Sequence, residues 1–302
     1  AVIYSALVII ALALFSEAAD GPLWRLPLGL LLFFWQWPRL AMYHCDYQDG
    51  LVPTDVPIDK YLAVFFSPGV IPNWGWGVAI AQGYAYVNNR FLCHDKNRIV
   101  IAGLQLLGLA LFYLALWHFA YAWLVGFFTR QGIEVYWAYT PHMVSAFVRG
   151  EEVSTGSVLL TTLLDLVRYM VFFAGVYHFK VGVWRICGYQ VDPFYNRPWL
   201  ATNLMTFWTR FAFHYREFLV RVFYYPVFFR FFKTHAKLRI FVASMAAAAL
   251  GNLIWHASER AFMHGMEAES VRFSLGTWPY FVLLGLGIAV SQFYLLRRRS
   301  GR

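Results

Sequence analysis

The chain has 302 residues, of which 60% are hydrophobic, 20% aromatic and only 14% charged, with a mean hydropathy of +0.51. That balance excludes a soluble globular enzyme and places the chain in a membrane. The net charge of +9 does not call for a nucleic-acid partner, because the 25 Lys and Arg residues gather at the ends of apolar runs, where such residues anchor and orient helices.

In chain order, Ala1 to Phe15 is apolar and just long enough for a short span. It lacks a basic flank and an initiating methionine, so it is read as a helix in a trimmed sequence or one beginning within a longer protein. A second run, Leu23 to Tyr43, carries Arg25 and Arg39 near its ends and tryptophans suited to a headgroup belt. His44 to Lys60 is polar, acidic and proline-bearing, which predicts a loop leaving the membrane. Tyr61 to Val87 is apolar but broken by Pro68, Gly69, Pro72, Gly75 and Gly77, the pattern of a re-entrant or broken helix walling a cavity.

Four clearer spans follow. Ile99 to Phe128 is almost uncharged and long enough to cross with tilt, with His118 in its middle read as a buried, hydrogen-bonded group. Arg130 to Gly156 is a mixed loop or short surface helix. Ser157 to Phe179 contains Asp165 and Arg168, three apart on one helix face; paired, they avoid roughly 2.5–3.5 kcal/mol each for a lone charge at the bilayer centre. Leu238 to Trp255 is filled in its middle by small residues, Ala243, Ser244, Ala246 to Ala249 and Gly251, so neighbouring helices can approach it closely, and His256 stands at its far end, placed to titrate near neutrality or accept a proton. The last span is 273–296. Basic turns near 90–98, 180–185 and 230–239 and the tail RRRSGR then share one side, which predicts a cytoplasmic C-terminus. The expectation is an all-α polytopic membrane protein forming a single integral membrane domain over residues 1–302.

Between these spans, Gly175 to Pro226 reads as a glycine-punctuated turn, a proline-rich loop and a helix capped by Thr202 or Asn203 and stopped by Pro226. On that helix Arg210, His214, Glu217 and Arg221 recur at intervals of four, three and four. An unbroken helix would align them in one polar stripe, either on an interfacial helix or along a water-filled cavity.

Other site classes are absent from the sequence. It has no G-x-S-x-G elbow, no nucleotide-binding G-x-x-x-x-G-K-[ST] loop and no H-E-x-x-H zinc motif. Cys45, Cys93 and Cys187 show no CxxC spacing, so neither a disulfide framework nor a metal site is indicated.

An ordered set of residues resembles the membrane-bound O-acyltransferase (MBOAT) family, especially its bacterial branch that acylates surface polysaccharides and teichoic acids. The set is Phe173-Ala174-Gly175, Gly182, Arg185, Gly188, Phe194, Asn196, Pro198, Leu200-Ala201-Thr202, Phe207-Trp208, Arg210 and Pro226, followed by Leu253-Ile254-Trp255-His256. It covers about residues 165 to 260, and Phe65, Phe66 and Pro68 echo an earlier segment. The chain departs from the family at Ala212, where a histidine or asparagine is frequent, and at His178, in place of an aspartate.

The resemblance implies a helical bundle with broken or re-entrant helices around a central cavity, in the bacterial cytoplasmic membrane. It implies transfer of an acyl group from a thioester donor, acyl-CoA or an acyl carrier protein, to a hydroxyl of a surface polysaccharide or lipid-linked acceptor. His256 would be the general base and Arg210 or His214 the oxyanion donor, with no bound cofactor and no metal. The Ala212 departure leaves a second expectation open: a catalytically inactive subunit of the same fold, held with protein partners in a larger membrane complex.

Overall fold

The computed structural model describes residues 37–59, 82–91, 95–136, 143, 146–147, 149–257 and 268–300. Every regular element among them is helical: α1 (Trp37–Gln48), α2 (Tyr84–Phe91), α3 (Lys96–Arg130), α4 (Thr155–Ile186), α5 (Leu204–Phe211), α6 (Phe213–Leu219), α7 (Tyr225–Arg230), α8 (Ala236–Ala257) and α9 (Ala268–Ser300). Lys96–Arg130, Thr155–Ile186, Ala236–Ala257 and Trp278–Arg298 are long and apolar enough to cross a bilayer, at the places where the sequence predicts four spans. The protein is a helical membrane protein. The expected helix at 1–15, most of the run at 23–43, and Phe65, Phe66 and Pro68 lie outside the described residues.

The described chain forms two compact units, one of residues 37–59, 82–89, 201–257 and 268–300, the other of residues 90–91 and those between 95 and 200. The second is built on α3 and α4. The Asp95 side chain accepts the Arg98 N–H at 3.0 Å to start α3, and Ser154 accepts the Ser157 N–H at 3.0 Å to start α4. A Cβ on Gly103 would stand 2.8 Å from the Gly182 carbonyl oxygen, and one on Gly175 would stand 2.7 Å from Leu114 Cγ. Small residues thus let two backbones approach where lipid offers no hydrophobic drive for association. Near the other end Tyr121, Val135 and Leu164 form a buried cluster closed by Trp117, Phe128 and Leu160.

Two expectations are corrected in this unit. α4 does not end at Phe179 before a basic turn but runs to Ile186, because Gly182 serves helix contact and the left-handed residue that ends the segment is Gly188, at φ +90°. Arg185 accordingly lies in the last helical turn and donates from Nε and Nη2 to the Val191 carbonyl, at 3.1 and 2.9 Å. His118 is exposed, not buried: it sits in a π turn, Trp117–Tyr121, whose wider winding shifts the helix register beyond Leu114.

The Asp165–Arg168 pair forms as expected, Nε to Oδ1 at 2.8 Å. In the loop after α4 the Tyr195 hydroxyl donates to the Met170 carbonyl at 2.6 Å, and burial pushes its pKa up, so the donor proton is retained.

In the first unit, helix α1 continues through His44 to Gln48 before turning at Gly50, φ +69°, so the predicted loop starts later than its polar composition suggests. The reason is tertiary: Asp46, at 1% exposure, is held inside the unit instead of facing solvent. Helices α8 and α9 pack where Gly285 meets Met245, and the Tyr224 hydroxyl donates to Gln292 Oε1 of α9 at 3.0 Å.

Candidate functional site

The helix expected from Thr202 or Asn203 to Pro226 is three pieces. Asn203 is its cap: the side chain accepts the Thr206 N–H at 2.9 Å while Thr206 Oγ1 accepts the Asn203 N–H at 3.2 Å, a reciprocal capping box. The helix then breaks at Ala212, with φ −143° and ψ 62°, and restarts as α6. A π turn, Val220–Tyr224, joins α6 to α7, and Pro226 sits in the first turn of α7, where a missing N–H costs little, so it does not stop the helix, which ends at Arg230.

The break overturns the polar stripe. Arg210 belongs to α5 and is half-buried, whereas His214 belongs to α6 and has no exposed surface. His214 Nδ1 lies 2.8 Å from Gln82 Nε2, and its ring meets Tyr86 edge-on with centroids 5.6 Å apart. Glu217 turns to its neighbour Arg216. Arg221 reaches Asp46 Oδ1 from Nη1 at 2.5 Å and Asp49 Oδ2 from Nη2 at 2.7 Å.

The start of α2 binds these groups together. The Ala85 N–H donates to Asp46 Oδ2 at 2.9 Å, and Gln82 holds His214. A side chain at Gly83 would overlap the Asp46 carboxylate, so only glycine lets the backbone pass here. The Cys45 thiol donates to the Arg221 carbonyl at 3.7 Å, and burial first of all pushes its pKa up, keeping it a protonated donor. Asp46, Asp49 and Gln82 escaped the sequence reading. The available signal was the spacing of Asp46 and Asp49, three apart at the end of an apolar run, which on a continued helix share a face.

His256 comes near the end of α8, past a π turn at Ala246–Gly251. Apart from the exposed Leu250 the turn is made of alanine and glycine, and at Gly251 Leu219 and Phe223 approach so closely that a Cβ would lie 2.8 Å from Leu219 Cδ2. The Tyr215 hydroxyl donates to Asn252 Oδ1 at 2.7 Å, and Asn252 Nδ2 donates back to the Ala248 carbonyl at 2.8 Å. Tyr215 and Phe218 both meet the Trp255 ring, with centroids 5.0 and 5.3 Å away. The half-buried His256 ring lies parallel to Phe281 of α9, 5.0 Å between centroids and 9° between planes. Stacking of this kind holds the imidazole by its π face; it does not use the ring nitrogens.

The three predicted site residues therefore fall in one unit, with the α6 segment that carries His214 packed on the α8 segment that carries His256. They do not form one stripe. Chemically, the arrangement offers a half-buried imidazole fixed in plane, a half-buried guanidinium on α5, and a fully enclosed imidazole tied to an amide. The Trp208 indole N–H, also in the first unit, is buried and donates no hydrogen bond among the described residues. Those residues contain no group of three His, Cys, Asp or Glu side chains arranged to hold a metal ion.

Compared with models of protein families, with curated proteins and with solved structures, the chain matches none.

Proposed function

We propose that the protein is a membrane-bound O-acyltransferase of the MBOAT type, with His256 as general base for a hydroxyl acceptor. The observation that carries the proposal is the packing of the two segments on which the resemblance rests. Phe207-Trp208 and Leu253-Ile254-Trp255-His256 are far apart in sequence, yet the piece that follows the former, α6, is joined to the latter by the Tyr215–Asn252 hydrogen bond and the Tyr215 and Phe218 contacts with Trp255.

In the proposed reaction the neutral His256 imidazole takes the acceptor hydroxyl proton as the oxygen attacks the thioester carbonyl. The tetrahedral intermediate collapses by breaking the C–S bond, and the thiolate leaves with a proton returned to it. The intermediate's oxyanion needs a donor. Arg210 suits that role better than His214, because Arg210 keeps accessible surface while Gln82 and Tyr86 enclose His214. His214 then positions α6 against the start of α2. The donor is acyl-CoA or an acyl carrier protein and the acceptor a surface polysaccharide or lipid-linked hydroxyl. The proposed architecture is the broken-helix bundle around a cavity, in a bacterial cytoplasmic membrane with the C-terminus inside. The break at Ala212 and the π turns at Val220–Tyr224 and Ala246–Gly251 support it.

The test is acyl transfer from labelled acyl-CoA, or acyl carrier protein, to the saccharide fraction in membranes containing the full chain. His256→Ala should lower the rate by about 10²–10⁴-fold while leaving the amount of folded protein unchanged. Absence of transfer by the wild-type chain, together with stable co-purification of other membrane subunits, would instead establish the inactive structural subunit.

A further inference from the structure

From Phe218 to Ser258 the sequence contains no acidic residue, yet it holds Arg221, Arg230, Lys233, Lys237 and Arg239. Arg221 is consumed inside the fold by Asp46 and Asp49. The other four cluster at one corner, where α7 ends, the chain turns through residues 231–235, and α8 begins. Arg230, Lys233 and Lys237 are exposed, and among the described residues no carboxylate lies within ion-pair distance of any of the four.

Uncompensated cations on a soluble surface need no special account, but here they are interleaved with aromatic rings. Tyr225, Phe229, Phe231 and Phe232 are 45%, 63%, 54% and 43% exposed. Phe232 does so from a left-handed backbone, φ +50°, a conformation that costs a bulky side chain energy and persists only where the surroundings enforce it. The Arg239 guanidinium carbon lies 4.3 Å from the centre of the Phe228 ring, and its buried Nε donates no hydrogen bond among the described residues. The corner also has a defined depth: it immediately precedes Ala236, the first residue of a stretch able to cross a bilayer. Exposed rings and basic heads at the end of a span match the boundary between hydrocarbon and headgroups, where rings enter the acyl region and cations meet phosphate.

We propose that the corner from Tyr225 to Arg239 is a binding site for anionic phospholipid headgroups. Arg230, Lys233 and Lys237 supply the charge, Arg239 supplies an oriented guanidinium held on Phe228, and Phe229, Phe231 and Phe232 seat the adjoining acyl chains. The exposed aromatics select lipid over an acidic soluble protein, which would meet the same charges without a use for rings at acyl depth. The site stands independently of the acyl-transfer proposal.

The test is native mass spectrometry of the full chain in detergent, titrated with phosphatidylglycerol or with phosphatidylcholine. Wild type should retain phosphatidylglycerol preferentially. R230Q/K233Q/K237Q should lose that preference, at roughly fivefold for each charge removed and ~100-fold for all three. The charge-preserving variant R230K/K233R/K237R should keep it, which separates loss of charge from loss of fold, and F231A/F232A should weaken both lipids alike. Equal retention of the two lipids by wild type would overturn the proposal, as would an undiminished preference in the glutamine variant or its loss in the charge-preserving one. Salt-sensitive binding of an acidic acyl carrier protein without lipid preference would assign the corner to a protein partner instead.

Discussion

The α3–α4 pair and the group formed by α1, α2, α6 and α8 are equally helical but solve opposite problems. In the first, the glycine faces carry the contact, while the remaining surface exposes Ile101, Leu104, Leu111, Phe112, Leu159 and Leu163, each more than half exposed, as suits helices bathed in lipid. In the second, the helices are shorter or interrupted, and their interior contains Asp46, Gln82, His214 and Asn252, none more than 5% exposed. Polar groups in such a setting are costly unless every one is engaged, and engaging them forces local departures from the α-helix. The π turns at 220–224 and 246–251 and the break at Ala212 fall here, next to Arg221, Asn252 and His214. The lipid-facing pair carries one such departure among its described residues, the π turn Trp117–Tyr121 in α3, so irregular turns are concentrated in the second group, beside side chains that must be aimed.

Four substitutions would break or sharpen that contrast. Arg221→Ala should have the largest effect, about 3–5 kcal/mol of destabilisation in thermal or denaturant unfolding of the detergent-solubilised chain, because it leaves Asp46 charged and enclosed with only the Ala85 N–H. Adding Asp46→Asn should recover part of the loss; a cost under about 1 kcal/mol would mean that the cluster is effectively solvated. In the lipid-facing pair, Gly103→Ala should cost about 1–3 kcal/mol, since the new Cβ meets the Gly182 backbone carbonyl and Ile186 N, which cannot move aside without separating the helices. Gly108→Ala, on the same helix with nothing within 4 Å of the new Cβ, should instead stabilise by about 0.5–1 kcal/mol through helix propensity. If both glycine changes moved stability in the same direction, the face-specific packing of α3 on α4 would be refuted.

Much of the molecule was legible as chemistry along the chain. The four spans follow from length and hydropathy alone, because a bilayer imposes one length scale on any helix that crosses it. The Asp165–Arg168 pair and a cap at Thr202 or Asn203 were equally readable, since both are local: the partners stand three residues away, and helix geometry brings them together unaided, with Asn203 proving to be the cap.

What failed was every inference that assumed an unbroken helix or a turn at each glycine. Arg210, His214, Glu217 and Arg221 align only if the backbone keeps its phase through Ala212, and nothing in the residues Phe211-Ala212-Phe213 announces the break. Gly175 and Gly182 have the composition of a turn but serve as contact faces, a choice made by the neighbouring helix and not by the glycines. The polar stretch after Tyr43 looked like solvent-exposed loop, yet Asp46 turns inward because Arg221, far along the chain, and the Ala85 N–H are there to receive it. The sequence by itself determined that this is a membrane protein, which four described segments are long and apolar enough to cross a bilayer, and that the Asp165–Arg168 pair forms, because these depend on composition and on spacing within one helix. Only the tertiary structure decided which polar residues are enclosed together and where the helices must break to enclose them, because a buried charge is satisfied by partners distant in sequence, whose arrival no local pattern encodes.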